Sequence, residues 1–259
     1  MKLDIFQIDA FTDKVFGGNP AAVIPLPNWL DDETLQHIAT ENNLSETAFF
    51  VKNQDVFELR WFTPVAEVNL CGHATLAAAF VLFEELKHPE DSIRFSTKSG
   101  LLEIHKKEKS IELNFPVDSL EKGDVANYQS LFNKKPKEAW KGKEDVLLVF
   151  QDEDEVQQLI PNLAKIATTA CRGVIASAKG NQVDFVSRFF TPQLGINEDP
   201  VTGSAHTSLV PFWAKKLKKS QFEAKQISKR GGDLVCEIKE NRVFISGQAI
   251  CFMKGEISI

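Results

Sequence analysis

AFFVKNQDVFELRWFTP, residues 48–64, returns without a gap as ASAKGNQVDFVSRFFTP, residues 176–192, at an offset of 128. Eight of the seventeen positions are identical: Ala48/Ala176, Asn53/Asn181, Gln54/Gln182, Phe57/Phe185, Arg60/Arg188, Phe62/Phe190, Thr63/Thr191 and Pro64/Pro192. At the same offset, Ile38-Ala39-Thr40 matches Ile166-Ala167-Thr168. A gapless repeat of this length marks a duplicated structural unit, so the chain reads as two similar halves.

Beyond each Phe-Thr-Pro triplet the chain runs through a loop to a glycine and then an apolar helix, NLCGHATLAAAFVLF in the first copy and PVTGSAHTSLVPFW in the second. Aligning Gly72 with Gly203 needs three extra residues in the second loop, placed in the segment that holds Glu198-Asp199-Pro200. Upstream, the pattern predicts a helix over 31–43 and its counterpart over 155–168. Each leads to a strand, a turn at Asn-Gln and a second strand with alternating apolar positions. The helix from Gly72 is apolar on nearly every side between Ala74 and Phe83 and must be buried all round. Its counterpart from Ser204 carries Pro211, which has no N–H for the helical ladder and should kink the helix or shift its packing. Strand-like runs such as LDIFQIDAF, AAVIPL, LEIHKK, IELNF, VLLVF, LVCEI and RVFISGQAI supply enough sheet to wrap both helices.

The expectation is an α+β chain of two pseudo-symmetric halves, 1–117 and 118–259, the last strands free to return to the first half. Each half is a mainly antiparallel curled sheet around a central apolar helix, and the lysine-rich stretch Asp118–Lys143 is read as their connection.

With 259 residues, 43% of them apolar, the chain can bury a sizeable core. A formal net charge of -6 and a pI near 5.5 argue against a nucleic-acid surface or an anionic-membrane partner. No apolar run approaches the ~18 residues needed to span a bilayer, and MKLDIFQIDAF has acids where a signal peptide has its apolar core. Cys71, Cys171, Cys236 and Cys251 are scattered with no CxxC pair, which fits a reduced, cytoplasmic setting. The five histidines show neither HxxxH nor HExxH spacing, so no metal is expected.

A turn of small residues opening a helix offers unpaired N–H groups and the positive end of the helix dipole, which attract a carboxylate or phosphate. If the halves face each other across a pseudo-twofold axis, CGHAT and TGSAH converge on one cleft. Neither turn is GK[ST] or GxGxxG, so a small carboxylate is favoured over a nucleotide. The plain alternative is that Gly72 and Gly203 permit tight turns and Ser204 caps a helix.

Candidates for proton chemistry are few. Glu46 lies between Leu44 and the apolar run Ala48–Val51, a setting that makes a carboxyl a usable acid or base. His73 follows Gly72 directly, and Asp199 stands beside the second turn; an imidazole and a carboxylate can relay a proton or orient a substrate. The ordinary readings are a loop carboxylate paired with a base, a histidine satisfied in the core and an aspartate bonding its own turn. Cys71 could form a thiolate at a helix N-terminus, but Thr202 stands opposite it. Arg60 and Arg188 repeat in place beside buried-looking aromatics and read as structural pairs. Asn19, in FGGNPAAV, reads as a turn residue before a strand.

DAFTDKVFGGNPAAV, LSETAFF, FTPVAEVNLCGHATLA and FTPQLGINEDPVTGSAH, in that order over nearly the whole chain, resemble the PhzF-like isomerase family of phenazine biosynthesis. The resemblance implies a diaminopimelate-epimerase-like fold with the active site in the cleft between the halves. It implies Glu46 as the catalytic glutamate, with His73, Asp199 and Ser204 as site residues. The amides of Gly72–His73 and Gly203–Ser204 would clamp a substrate carboxylate, with Ser45 and Asn19 as further candidate binding residues. It also implies cofactor-independent chemistry and a homodimer. The related epimerases use two cysteines, one in each glycine turn; here only Cys71 has a matching place.

The function expected is a cofactor-independent isomerase that moves a proton on a small unsaturated carboxylic acid. The alternatives are an amino-acid or proline-type epimerase using Cys71, and a catalytically silent carboxylate-binding protein.

Overall fold

The computed structural model describes residues 1–259 and divides into two compact units, Met1–Asn114 with Ser246–Ile259, and Phe115–Ile245. The first unit begins with β1 (Lys2–Ala10), β2 (Asn19–Leu26), α1 (Asp32–Asn42), β3 (Glu46–Asn53), β4 (Val56–Phe62), β5 (Glu67–Val68) and α2 (Gly72–Phe80). A turn of π-helix, Val81–Glu85, extends α2 and is followed by β6 (Ser92–Thr97), β7 (Gly100–Lys106) and β8 (Ile111–Pro116). The chain passes into the second unit within β8. There it forms β9 (Glu121–Gly123), β10 (Glu138–Lys141), β11 (Asp145–Val149), α3 (Glu153–Gln157), α4 (Leu163–Ala167), β12 (Gly173–Lys179), β13 (Phe185–Thr191) and β14 (Ile196–Asp199). It continues through α5 (His206–Leu217), β15 (Gln221–Gln226), β16 (Gly232–Lys239) and β17 (Arg242–Gly247), and returns to the first unit for β18 (Ala249–Ser258).

The same pairing scheme is built twice, as the repeat predicts. In the first unit β2–β3 and β4–β6 are parallel and β3–β4 antiparallel; in the second β11–β12 and β13–β15 are parallel and β12–β13 antiparallel. Most other pairings are antiparallel, including β1 with β2 and with β18. This is the α+β architecture expected.

Period-2 alternation assigns the faces of the first sheet. Ala22, Ile24 and Leu26 of β2 and Phe49 and Val51 of β3 pack in one cluster with Leu35 and Ile38 of α1. The residues between them, Ala21, Val23, Ala48 and Phe50, are also buried and belong to the opposite face, towards α2. Every residue of α2 from Gly72 to Ala79 is buried, so the all-round apolar pattern is explained.

Three expectations need correction. The helix expected over 155–168 is two short helices, because Pro161 cannot donate to a helical ladder and Asn162 starts a new one, its side chain accepting from the Lys165 N–H. The stretch Asp118–Lys143 is no mere connection: it forms β9 and β10 and places Tyr128, Leu131, Phe132 and Ala139 in the core of the second unit. The three-residue insertion lies upstream of Glu198. Arg60 grips Glu67 through two hydrogen bonds of 2.8 Å, and Arg188 grips Glu198 at 2.7 and 2.8 Å, so Glu67 matches Glu198. Asp199 therefore matches Val68, and indeed Val68 pairs with Trp61 as Asp199 pairs with Phe189. The extra residues are taken up by the short 3-10 turn Pro192–Leu194 and Gly195, which adopts φ 84°.

Pro211 sits inside α5 as foreseen. The Thr207 carbonyl that a residue-211 N–H would have met accepts instead from the Asp118 N–H, at 3.1 Å.

Candidate active site

In the first unit, face assignment brings three candidates together. Glu46 opens β3 on the face that carries Ala48 and Phe50, and Asn19 opens β2 on the face that carries Ala21 and Val23; both look towards α2. Gly18, directly before Asn19, has φ 60°, and any Cβ there would strike the Ala10 carbonyl, so the chain can make this approach only with glycine. His73 stands in the first turn of α2 and is buried.

The result is a row of side chains. The Asn19 Nδ2 atom lies 3.1 Å from His73 Nδ1, the Cys71 Sγ atom lies 3.5 Å from the same nitrogen, and Glu46 Oε2 lies 3.1 Å from His73 Nε2. At 3.1 Å the carboxylate and the ring form an ion pair, yet the ring N–H is not aimed at Oε2. Both atoms are shielded from water without a hydrogen bond inside the chain. Such a pair leaves directional capacity for a bound group. Ser45, half-buried, precedes Glu46.

Burial drives the Cys71 thiol up to about 11, reinforced by the neighbouring Glu46, so it is a neutral thiol near pH 7. Burial also opposes charge on His73, but its acidic neighbours Cys71 and Glu46 outweigh this and carry it well above the ordinary 6.5. Oxygen, sulfur and nitrogen atoms of Glu46, Cys71 and His73 lie within 4.8 Å of one another. The ring nevertheless turns Nδ1 to Cys71 and Nε2 to Glu46, so one ion could not use all three without ring rotation.

In the second unit Asp199 ends β14 and is buried. The Thr202 hydroxyl donates to Asp199 Oδ2. Gln226, fully buried at the end of β15, fixes this turn: its Nε2 donates to the Asp199 carbonyl at 2.8 Å and to Thr202 Oγ1 at 3.2 Å, and its Oε1 accepts from the Thr202 N–H at 2.8 Å. Nothing in the local sequence around Gln226 signals that role.

Where α2 starts directly at Gly72, the chain from Thr202 to Ala205 makes a tight turn with i to i−3 bonds before α5 starts at His206. Gly203 and Ser204 lie within this turn, and the Ser204 hydroxyl accepts from Arg172 Nη2 at 3.1 Å. His206 answers to Thr75. The Thr75 hydroxyl donates to the Cys71 carbonyl, and His206 Nδ1 lies 3.0 Å from the Thr202 carbonyl. Arg60 and Arg188 are structural pairs, each stacked on an aromatic ring, Phe62 or Phe190.

Residues 8–255 match the family model described as phenazine biosynthesis-like protein. An uncharacterised isomerase of Pseudomonas aeruginosa is 47% identical, with both chains covered in full. The crystal structure of a phenazine biosynthesis protein of the PhzF family from Enterococcus faecalis superposes with a TM-score of 0.97 at 46% identity, again over both whole chains. A probable proline racemase from Agrobacterium radiobacter shares the fold, with a TM-score of 0.69 over 99% of this chain and 93% of its own, at 10% identity. No helix is long and apolar enough to cross a membrane.

Proposed function

Since the chain belongs to the phenazine biosynthesis-like, PhzF family, whose relatives include named isomerases, we propose that it is a cofactor-independent isomerase acting on a small unsaturated carboxylic acid. The observation that carries this reading is the buried pair Glu46 Oε2 and His73 Nε2, 3.1 Å apart and without hydrogen bonds inside the chain.

In this reading the Glu46 carboxylate takes a proton from an acidified carbon, and the electron pair of the broken C–H bond enters the π system of the substrate. The protonated Glu46 then returns the proton to another carbon, so the double bond moves and atoms and charge balance. His73 Nε2, beside the carboxylate, donates its hydrogen to oxygen where negative charge collects. In the second unit, the amides of Gly203 and Ser204, the Ser204 hydroxyl and Asp199 are proposed as binding groups. Gly72 and His73 offer the matching amides in the first. A homodimeric, cytoplasmic state belongs to the same proposal.

The epimerase alternative is less well supported. It needs a thiolate at Cys71, whose thiol burial pushes to about 11, and a second base where Thr202 stands. The decisive experiment is a screen of small unsaturated carboxylic acids in deuterated water, read by NMR. Deuterium uptake with double-bond migration, lost in Glu46→Gln while the fold is kept, is the expected result. Retained turnover in that variant refutes the assignment.

A further inference from the structure

No local sequence pattern singles out Arg172, yet the second unit holds it by backbone and side chain alike. Its N–H donates to the Glu144 carbonyl at 2.6 Å, and its own carbonyl accepts from the Thr191 hydroxyl at 2.7 Å and from the Gln193 side chain. Its guanidinium forms a two-pronged pair with Asp145, Nε to Oδ1 at 2.9 Å and Nη2 to Oδ2, and lies over the Phe189 ring at 5.6 Å. Asp145 is only 5% exposed. From this fixed position Nη2 reaches Ser204 Oγ at 3.1 Å.

The direction of that last bond is unambiguous, because a guanidinium only donates. Ser204 therefore accepts from Arg172, which frees its own hydrogen to donate elsewhere. A hydroxyl that accepts from a cation is also a stronger donor, since the two bonds polarise each other.

We propose that Asp145 and Arg172 are a positioning pair that fixes Ser204 as a hydrogen-bond donor, so that the second unit accepts a carboxylate oxygen at Ser204. This rests on the proposed carboxylate chemistry of Ser204 and sharpens it. The freed hydrogen favours an acceptor oxygen, and Arg172 occupies one of the two lone pairs that a ligand N–H or O–H would need.

Arg172→Gln alone would strand the buried Asp145 and could prevent folding. The test variant is therefore Arg172→Gln with Asp145→Asn, which removes both charges and leaves the net charge unchanged. Weakened anion binding then cannot be a long-range field effect. The probes are acetate, benzoate and anthranilate, with benzamide as the uncharged control, followed by calorimetry on the full chain. Expected are binding of at least one carboxylate in preference to benzamide, and about a tenfold loss in the double variant. Ser204→Ala should show a similar loss, and adding the double variant to it should change nothing further. Arg172→Lys, which keeps the charge without the fork, should recover part of the affinity.

An additive loss in the Ser204→Ala background would overturn the positioning role, because Arg172 would then act other than through Ser204. Full affinity in the double variant would overturn it too. Failure of the wild type to bind any of the three carboxylates overturns the carboxylate premise itself. The Glu46→Gln exchange experiment is independent of all these outcomes.

Discussion

The two halves share a backbone plan but carry their chemistry at different positions. Hairpin β3–β4 pairs Ala48 with Trp61, whereas β12–β13 pairs Ile175 with Phe189, so Gly173 holds the strand position that Glu46 holds. A Cβ at Gly173 would collide with the Phe189 ring. The first unit has an acid on that strand and Val68 on the short strand beyond; the second has Gly173 there and Asp199 beyond. Cys71, His73 and Thr75 face Thr202, Ser204 and His206 in the alignment. One copy thus gathers an acid, a thiol and an imidazole, and the other gathers hydroxyls and a guanidinium. Duplication preserved the two glycine turns, while a few side chains diverged; under the proposed function, that divergence separates proton transfer from binding.

The largest effect should come from removing the residue that has no counterpart. Glu46→Gln should cut turnover by roughly 10²–10⁴-fold with little change in melting, the range for a positioned acid or base. Activity that survives would mean the asymmetry at Gly173 has no functional meaning.

His206 and His73 should then divide the pH dependence of stability. Burial holds His206 down at about 4, so the unfolded chain binds a proton that the folded one refuses. Stability from neutral His206 is complete above about 6.5 and falls as pH drops towards 4, by roughly 3 kcal/mol. His73 is raised, so its contribution is complete below about 6.5 and is lost as pH rises through its folded value. Denaturant titrations of His206→Gln and His73→Gln between pH 4 and 9 should show these opposite slopes. Parallel slopes would break the contrast.

Gly173→Ala should destabilise by about 1–3 kcal/mol through overpacking against Phe189, read from denaturation midpoints. Thr202→Val should cost about 1–2 kcal/mol, because it strips a donor from Asp199 and an acceptor from Gln226. The smallest effect belongs to Cys71→Ser, which should change turnover less than tenfold. A complete loss accompanied by inversion at carbon would instead favour the epimerase reading.

Much of this was legible in residue patterns. The repeat announced the doubled pairing scheme, the apolar run after Gly72 announced a buried helix, and Glu46 beside an apolar strand stood out as a candidate acid or base. What escaped depended on register and long-range partners. A gapless alignment set Glu46 against Val174, but the Gly180–Asp184 loop is longer than its Gln54–Asp55 counterpart, and pairing slips by one residue. The Arg188–Glu198 pair relocated the insertion and took Asp199 out of it. Gln226 and Arg172 matter through contacts to residues tens of positions away, and no local pattern encodes those.

The first unit is closed only by β18, which pairs with β1 along nearly its whole length, Lys2 with Ser258 through Ala10 with Ala249. The second unit is one uninterrupted stretch. During synthesis on the ribosome, the second unit has all its residues before the first does, and β1 waits with an unpaired edge until β18 emerges. A nascent chain stalled short of Ala249 should therefore expose that edge to aggregation, which makes the ten residues of β18 the step that covers it.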